Sequence, residues 1–248
     1  MSVWALDLDG VLWLAGEAIA GSAEAVNRLD AAGVPVCFAT NFSYAPVAET
    51  EAKLARIGVD GRGRVITSAM AAATLVQRGD TVLVCGGPGI VEAVLARGAT
   101  VVREGRADVV VVGYDPHFDY HQLSVAVSAI RAGARFVATN EDPTLPTPAG
   151  LVPGGGALVA AVAYAAQTEP VVAGKPHQAF AELVLARYGE HGIVVGDQPM
   201  TDGKLARRLG YRFGLVLSGV TSASDLPTDP PYDHLGADLA ALVDLELG

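Results

Sequence analysis

The chain is poor in cysteine: Cys37 and Cys85 are its 2 in 248 residues, each inside a strand-like apolar run with no second cysteine or histidine beside it. Two isolated thiols supply neither a disulfide framework nor metal-ligand spacing, so both read as small buried hydrophobes in a reducing compartment. Apolar runs long enough to span a bilayer are missing, as is a basic N-terminal segment followed by an apolar one. The expectation is therefore a soluble, unprocessed, cytoplasmic protein. Basic residues are scarce too, 17 Lys and Arg against 27 Asp and Glu for a formal net charge of -10. That balance argues against nucleic acid or an anionic membrane as partner, because both need a basic face. An anionic small molecule stays possible, since one metal ion and one lysine reverse a local field.

What the chain does have is apolar content, 51% of its residues, arranged in short blocks. Val3-Trp4-Ala5-Leu6 reads as a buried strand and Val11 to Ile19 as a turn and small flap. Ser22 then caps a helix to about Ala32, stopped by Gly33. Val34 to Ala39 is a second strand, Pro46 opens a helix to Ile57, and Val65-Ile66-Thr67 leads to a helix capped by Ser68. The alternation resumes at Val82 to Cys85, a helix to Arg97, Val101-Val102, a strand from Asp108 to Val112, a helix capped by Asp119, and Phe136 to Ala138. Residues 141–156, rich in Pro, Gly and Thr, read as a long loop before an apolar helix, Ala157 to Ala166. A last section runs through Val171-Val172-Ala173, a helix from Pro176 to Tyr188, Ile193 to Val195, a helix opened by Thr201 and Asp202, and Phe213 to Leu217. Residues 224–233 read as a surface loop before a short final helix. Such alternation calls for α/β architecture, a parallel sheet with helices on both faces.

Chemistry collects at the strand ends. Asp7 and Asp9 follow the first strand two residues apart, which on a strand places both on one face. Two such carboxylates need a cation between them or a proton on one of them. Thr40 and Asn41 end the second strand, Lys175 follows Ala173-Gly174, and Asp197 and Asp202 follow Val195-Gly196. In an open parallel sheet, ligands bind outside the carboxyl ends of the strands, so these positions can converge. Carboxylates, a lysine and a hydroxyl together suit a hard cation plus a phosphoryl group.

Asp7-Leu8-Asp9-Gly10-Val11, Ala39-Thr40-Asn41, Gly174-Lys175-Pro176 and Val195-Gly196-Asp197 with Asp202 resemble, in order, the four motifs of the haloacid dehalogenase (HAD) superfamily. Gly113-Tyr114-Asp115, Ala138-Thr139-Asn140-Glu141-Asp142, Pro153-Gly154-Gly155-Gly156 and Leu217-Ser218-Gly219-Val220-Thr221 narrow the resemblance to its class IIA, NagD and 4-nitrophenylphosphatase-like phosphatases. The resemblance implies a Rossmann-like core with a parallel sheet, residues 1–70 and 173–248, and an inserted α/β cap of C2 type, 71–172. It further implies Mg2+-dependent hydrolysis of small phosphate monoesters through an aspartyl-phosphate, with Asp7 as nucleophile and Asp9 as general acid and base. Magnesium would be held by the Asp7 and Asp197 carboxylates and the Asp9 carbonyl oxygen, with Asp202 either a water-mediated ligand or the anchor of Lys175. Lys175, Thr40 and Asn41 would hold the phosphoryl oxygens. Asn140, Asp142 and the Pro153 to Gly156 turn are candidates for contact with the leaving group. A homodimer through the cap is known in the family, although no exposed apolar stripe marks it here.

Two alternatives share these residues: a phosphotransferase or phosphomutase, in which a sugar hydroxyl replaces water, and a non-catalytic protein that binds a phosphorylated metabolite. Weaker motifs are absorbed differently. Cys85-Gly86-Gly87-Pro88-Gly89 lacks the third glycine of a dinucleotide fingerprint, because Glu92 stands there, and reads as a structural turn. His117 and His121 have zinc-helix spacing without the intervening glutamate and read as surface or packing residues. His177 falls near the site, on the first turn of a helix; His191 and His234 read as loop residues.

Overall fold

The structure, a computed structural model, describes residues 2–147 and 149–247. The chain divides into two compact units: Met1–Thr40, Ala48–Ile66 and Lys175–Gly248 form the first, Asn41–Val47 and Thr67–Gly174 the second. Asn41–Val47 thus clusters with the second unit, where the expected boundaries put it with the first.

In chain order the elements are β1 (Val3–Leu6), the hairpin β2 (Trp13–Leu14) and β3 (Glu17–Ala18), α1 (Ser22–Ala31), β4 (Val36–Thr40), α2 (Val47–Arg56) and β5 (Val65–Thr67). Next come α3 (Ser68–Thr74), β6 (Thr81–Cys85), α4 (Pro88–Ala96), β7 (Thr100–Val102), β8 (Val109–Val112), α5 (Tyr120–Arg131) and β9 (Arg135–Ala138). The hairpin β10 (Thr144–Thr147) and β11 (Gly150–Pro153), α6 (Gly155–Ala166) and β12 (Val171–Val172) close the second unit. The chain ends with α7 (Gln178–Tyr188), β13 (Gly192–Gly196), α8 (Lys204–Leu209), β14 (Arg212–Val216), β15 (His234–Gly236) and α9 (Leu239–Leu247). No described helix is long and apolar enough to cross a membrane.

The first unit is built on a sheet of order β15-β14-β13-β1-β4-β5. Its β14–β15, β13–β14, β1–β13 and β1–β4 pairings are parallel. Every residue of β1 is buried, which is why Val3-Trp4-Ala5-Leu6 carries no polar alternation: both faces of a parallel strand are covered. The chain leaves β1 toward β4 and β5 and returns on its other side as β13, β14 and β15. Crossovers that diverge from one strand leave a crevice at its carboxyl end. Asp7 is the first residue after that end.

The second unit has its own parallel sheet, β12-β9-β8-β6-β7. Val110, Val112 and Phe136 of that sheet pack with Ala126 and Ile130 of α5 and Val159 and Val162 of α6. Asp119 caps α5 as expected, in a capping box with Gln122.

Local readings differ from the structure at several places. Gly21, at φ 79°, is the cap of α1, and Ser22 lies inside the helix with its hydroxyl donating to the Leu12 carbonyl at 3.0 Å. Thr67 likewise caps α3 by accepting from Met70 N at 3.2 Å, while Ser68 Oγ donates to the Asn41 carbonyl at 2.6 Å. Each serine satisfies a carbonyl distant in sequence and leaves the cap to its predecessor. Helix α7 begins at Gln178 with His177 as its cap, past Pro176. The expected loop at 141–156 contains the antiparallel pair β10–β11, and His234–Gly236 forms an unexpected edge strand on β14. Glu92, which broke the dinucleotide fingerprint, accepts a hydrogen bond from Val47 N at 3.2 Å.

Candidate active site

Asp7 extends the β1 ladder by one bond, its N–H donating to Val195 O at 2.8 Å. Its side chain is buried. There Lys175 Nζ lies 2.8 Å from Asp7 Oδ1 and 2.7 Å from Asp202 Oδ1, all three groups out of solvent. Asp197 follows the last residue of β13 and is 1% exposed. Carboxylate oxygens of Asp7, Asp197 and Asp202 lie within 4.8 Å of one another. Three buried carboxylates share one lysine, so the cluster carries an excess of negative charge when ionised.

The backbone approaches these acids closely at glycines. A Cβ on Gly219 would stand 2.0 Å from Asp197 Oδ2, and one on Gly10, at φ +81°, would stand 2.4 Å from it. Only glycine meets both the left-handed conformation and the close approach at position 10. Asp202 sits in a π turn, Pro199–Gly203, that precedes α8. The turn carries its carboxylate against Gly196, where a Cβ would be 2.1 Å away. Asp202 Oδ2 accepts from Gln198 N at 3.2 Å, so both its oxygens are engaged. Asp202 is therefore the anchor of Lys175 in this geometry.

Asp197 is satisfied on one side alone. Its Oδ2 accepts from Val220 N at 2.6 Å. Oδ1 is buried and meets no hydrogen-bond donor among the described residues. A buried orphan carboxylate oxygen is costly unless a cation or proton fills the place. With the neighbouring acids it suits a hard divalent cation, which prefers carboxylate and carbonyl oxygens. Burial, with Asp7 and Asp202 close by, accordingly raises the Asp197 carboxyl well above the usual range. Burial raises Asp202 as well, against the pull of Lys175. For Lys175, burial opposes the charge, but Asp202 and Asp7 outweigh it and keep the ammonium protonated.

Asp9 lies beyond the end of β1, which stops at Leu6, and just before the left-handed Gly10. Its carboxylate accepts from Trp13 Nε1 at 2.9 Å, and its side chain is not among the clustered acids. Burial, then the Asp7 charge, raises its carboxyl. Thr40 is buried at the end of β4. Asn41, next in the chain, begins the second unit. There the structure joins three of the residues singled out from sequence: Asn41 Nδ2 donates to the Asp142 carboxylate at 3.0 and 3.3 Å, and Asn140 Nδ2 donates to the Asn41 carbonyl at 2.8 Å. His117 and His121 are exposed. The contacts of Trp13, Gly219 and Val220 go beyond the sequence reading; the signal for Trp13 is a donor four residues beyond Asp9, within reach only once the chain turns.

Comparison with known proteins agrees with the motifs. Residues 4–100 match the family described as haloacid dehalogenase-like hydrolase, and residues 172–242 match a HAD-hydrolase-like family. The D-glycerol 3-phosphate phosphatase of Mycobacterium tuberculosis is 36% identical over 249 residues, 96% of this chain and 69% of the relative. A 5'-nucleotidase of Bacillus subtilis is 35% identical over 231 residues, 90% of each chain. The crystal structure of the Mycobacterium tuberculosis glycerol phosphate phosphatase in complex with magnesium superposes with a TM-score of 0.89 at 35% identity, covering 97% of this chain and 76% of that one. The chain belongs to the haloacid dehalogenase-like hydrolases, in their NagD-like class IIA branch of phosphatases.

Proposed function

We propose that the protein hydrolyses small phosphate monoesters with Mg2+ through an aspartyl-phosphate intermediate. One observation carries this reading: the buried triad Asp7, Asp197 and Asp202 with Lys175 between two of its members and one Asp197 oxygen that meets no donor among the described residues. Asp7 and Asp197, with the Asp9 carbonyl oxygen, are the proposed metal ligands. When bound, the ion neutralises the clustered carboxylates and draws charge from the phosphoryl oxygens. The magnesium-bound relative supports this assignment.

Asp7 supplies the nucleophilic oxygen, and Lys175, fixed by Asp202, directs its ammonium at the same place. Lys175 and Thr40 hold the phosphoryl oxygens as charge redistributes, with Asn41 N–H a further donor. Asp9, whose carboxyl is not one of the three clustered acids, keeps it for the leaving oxygen and then for water. An alkoxide needs that proton and a halide does not, so Asp9 selects ester hydrolysis over dehalogenation. Asn140 and Asp142 complete the proposal as leaving-group contacts; their bonds to Asn41, which directly follows Thr40, support it. The relatives' names support small phosphorylated metabolites such as glycerol phosphate as the substrate class. Two buried free thiols support a cytoplasmic setting. Association of two copies through the second unit, where Tyr164 and Val171 are exposed, is the further part of the reading that gel filtration tests.

Phosphate release from p-nitrophenyl phosphate and glycerol 3-phosphate is the direct experiment. Turnover is expected with Mg2+, to vanish in EDTA, and to vanish in Asp7→Asn with the metal present. Free phosphate rather than a phosphorylated second substrate separates hydrolysis from phosphotransfer. Retained turnover in Asp7→Asn removes the nucleophile assignment.

A further inference from the structure

Trp13 is buried at the base of the β2–β3 flap, 3% exposed, and its position is set from several directions. Its backbone N–H donates to Leu8 O at 3.2 Å, its carbonyl accepts from Gly10 N at 2.7 Å, and it pairs with Ala18 across the hairpin. The indole N–H meets Asp9 Oδ1 at 2.9 Å. Over the ring face, Lys53 Nζ of α2 lies 3.7 Å from the centroid. A cation at that distance is held by the ring's negative face and resists tilting of the indole plane. Lys53, Trp13 and Asp9 thus form a chain of contacts that ends on the carboxylate proposed to move the proton.

We infer that Trp13 is the positioning residue of this site: its indole N–H occupies Asp9 Oδ1, Lys53 steadies the ring, and Asp9 Oδ2 is thereby the oxygen that delivers and takes the proton. The inference rests on the reading of Asp9 as general acid and base. Its chemistry follows from the donor inventory. An indole nitrogen can only donate, so it bonds an oxygen that has lone pairs to offer, and the carboxyl proton sits on the other oxygen. The terminal torsion of an aspartate is broad, so an unpinned carboxyl presents either oxygen. In the first step an Asp7 oxygen bonds phosphorus and the bond to the leaving oxygen breaks with its electron pair. That oxygen takes the proton from Asp9 Oδ2 and departs as an alcohol. In the second, a water oxygen bonds phosphorus, the bond to Asp7 breaks and returns its pair to the carboxylate, and Asp9 Oδ2 takes the water proton. Phosphate leaves and both aspartates regain their starting states.

The test compares esters that need the proton with esters that do not, in the full chain with Mg2+. Glycerol 3-phosphate expels a strongly basic alkoxide and p-nitrophenyl phosphate a weakly basic phenolate, and kcat/KM reports the step in which each leaves. Trp13→Phe keeps a ring under Lys53 and removes the N–H. It is expected to lower kcat/KM about 100-fold for the alkyl ester and only about 3-fold for the aryl ester. Lys53→Met leaves the N–H and is expected to show the same split at about a tenth of its size. Equal losses on both esters, or none, overturn the inference while leaving the function in place. Wild-type protein that releases no phosphate from any ester overturns the function and the inference with it. A measurement independent of turnover uses the indole N–H signals of 15N-labelled protein, one for each of the 2 tryptophans. One of them is expected to move markedly in Asp9→Ala, and two unmoved signals overturn the inference even if Trp13→Phe does not fold.

Discussion

The two polar clusters, one in each unit, are built on opposite principles. In the first unit, Asp7, Asp197 and Asp202 are crowded behind glycines around one lysine, with one carboxylate oxygen unpartnered among the described residues. In the second, Asn41, Asn140 and Asp142 answer one another with amide donors, and Ser68 adds a hydroxyl. The second cluster is knit together by hydrogen bonds between its own members. The first leaves a buried carboxylate oxygen without a donor among the described residues, at a cost to stability. A buried polar group without a partner marks the place where the fold relies on something the chain does not contain.

This contrast is open to attack from several sides, and the strongest blow is to the bare carboxylate. Asp197→Asn is expected to abolish phosphate release and the thermal stabilisation by Mg2+, which in wild type should reach roughly 5–10 °C at about a hundredfold excess over Kd. In EDTA the same variant should melt no lower than wild type, because it removes a repelling charge; differential scanning calorimetry with and without metal reads both effects. Gly219→Ala keeps every acid but places a Cβ where Asp197 Oδ2 now lies. Its activity should fall about 100-fold, with a stability loss of about 1–3 kcal/mol by urea titration. Asn41→Ala, in the hydrogen-bonded cluster of the second unit, should cost about 1–2 kcal/mol and leave the Mg2+-induced rise in Tm intact. The smallest effect belongs to the cysteines. Burial pushes the Cys37 and Cys85 thiols up to about 12. At pH 8 they should therefore hold far less thiolate than an ordinary cysteine, and iodoacetamide should label neither until the protein is unfolded.

Much of the first cluster was legible in the sequence because its acids directly follow apolar runs, and a fully buried strand has no other signature. The strand order that brings Asp7 beside Asp197 was not legible, since β1 and β13 are far apart in the chain and only the parallel topology makes them neighbours. The hairpin at Thr144–Pro153 is hidden in the sequence by its prolines. Pro146 and Pro153 suggest a loop, yet Gly154 N bonds Pro143 O at 2.9 Å, and counting from that pair both prolines fall where an antiparallel ladder makes no bond. Proline there removes nothing from the ladder. His234–Gly236 leaves no mark in the sequence, because three residues at a sheet edge carry no periodicity. Residue type alone points to Ser22 and Ser68 as caps, whereas their hydroxyls serve carbonyls that only the tertiary structure brings near.

The π turn has a consequence for how such a site can be reached by mutation. Lys204 N bonds Pro199 O, one residue beyond the ordinary helical spacing, and this extra residue brings Asp202 to Lys175. Removing any single residue between Gln198 and Thr201 would restore a regular helix and turn Asp202 by about a quarter of a revolution, away from its lysine. No substitution at the neighbouring positions could then bring it back. The interval from Asp197 to Asp202 therefore behaves as a length written into the gene, which drift can recolour residue by residue but can change only by an insertion or deletion that dismantles the site.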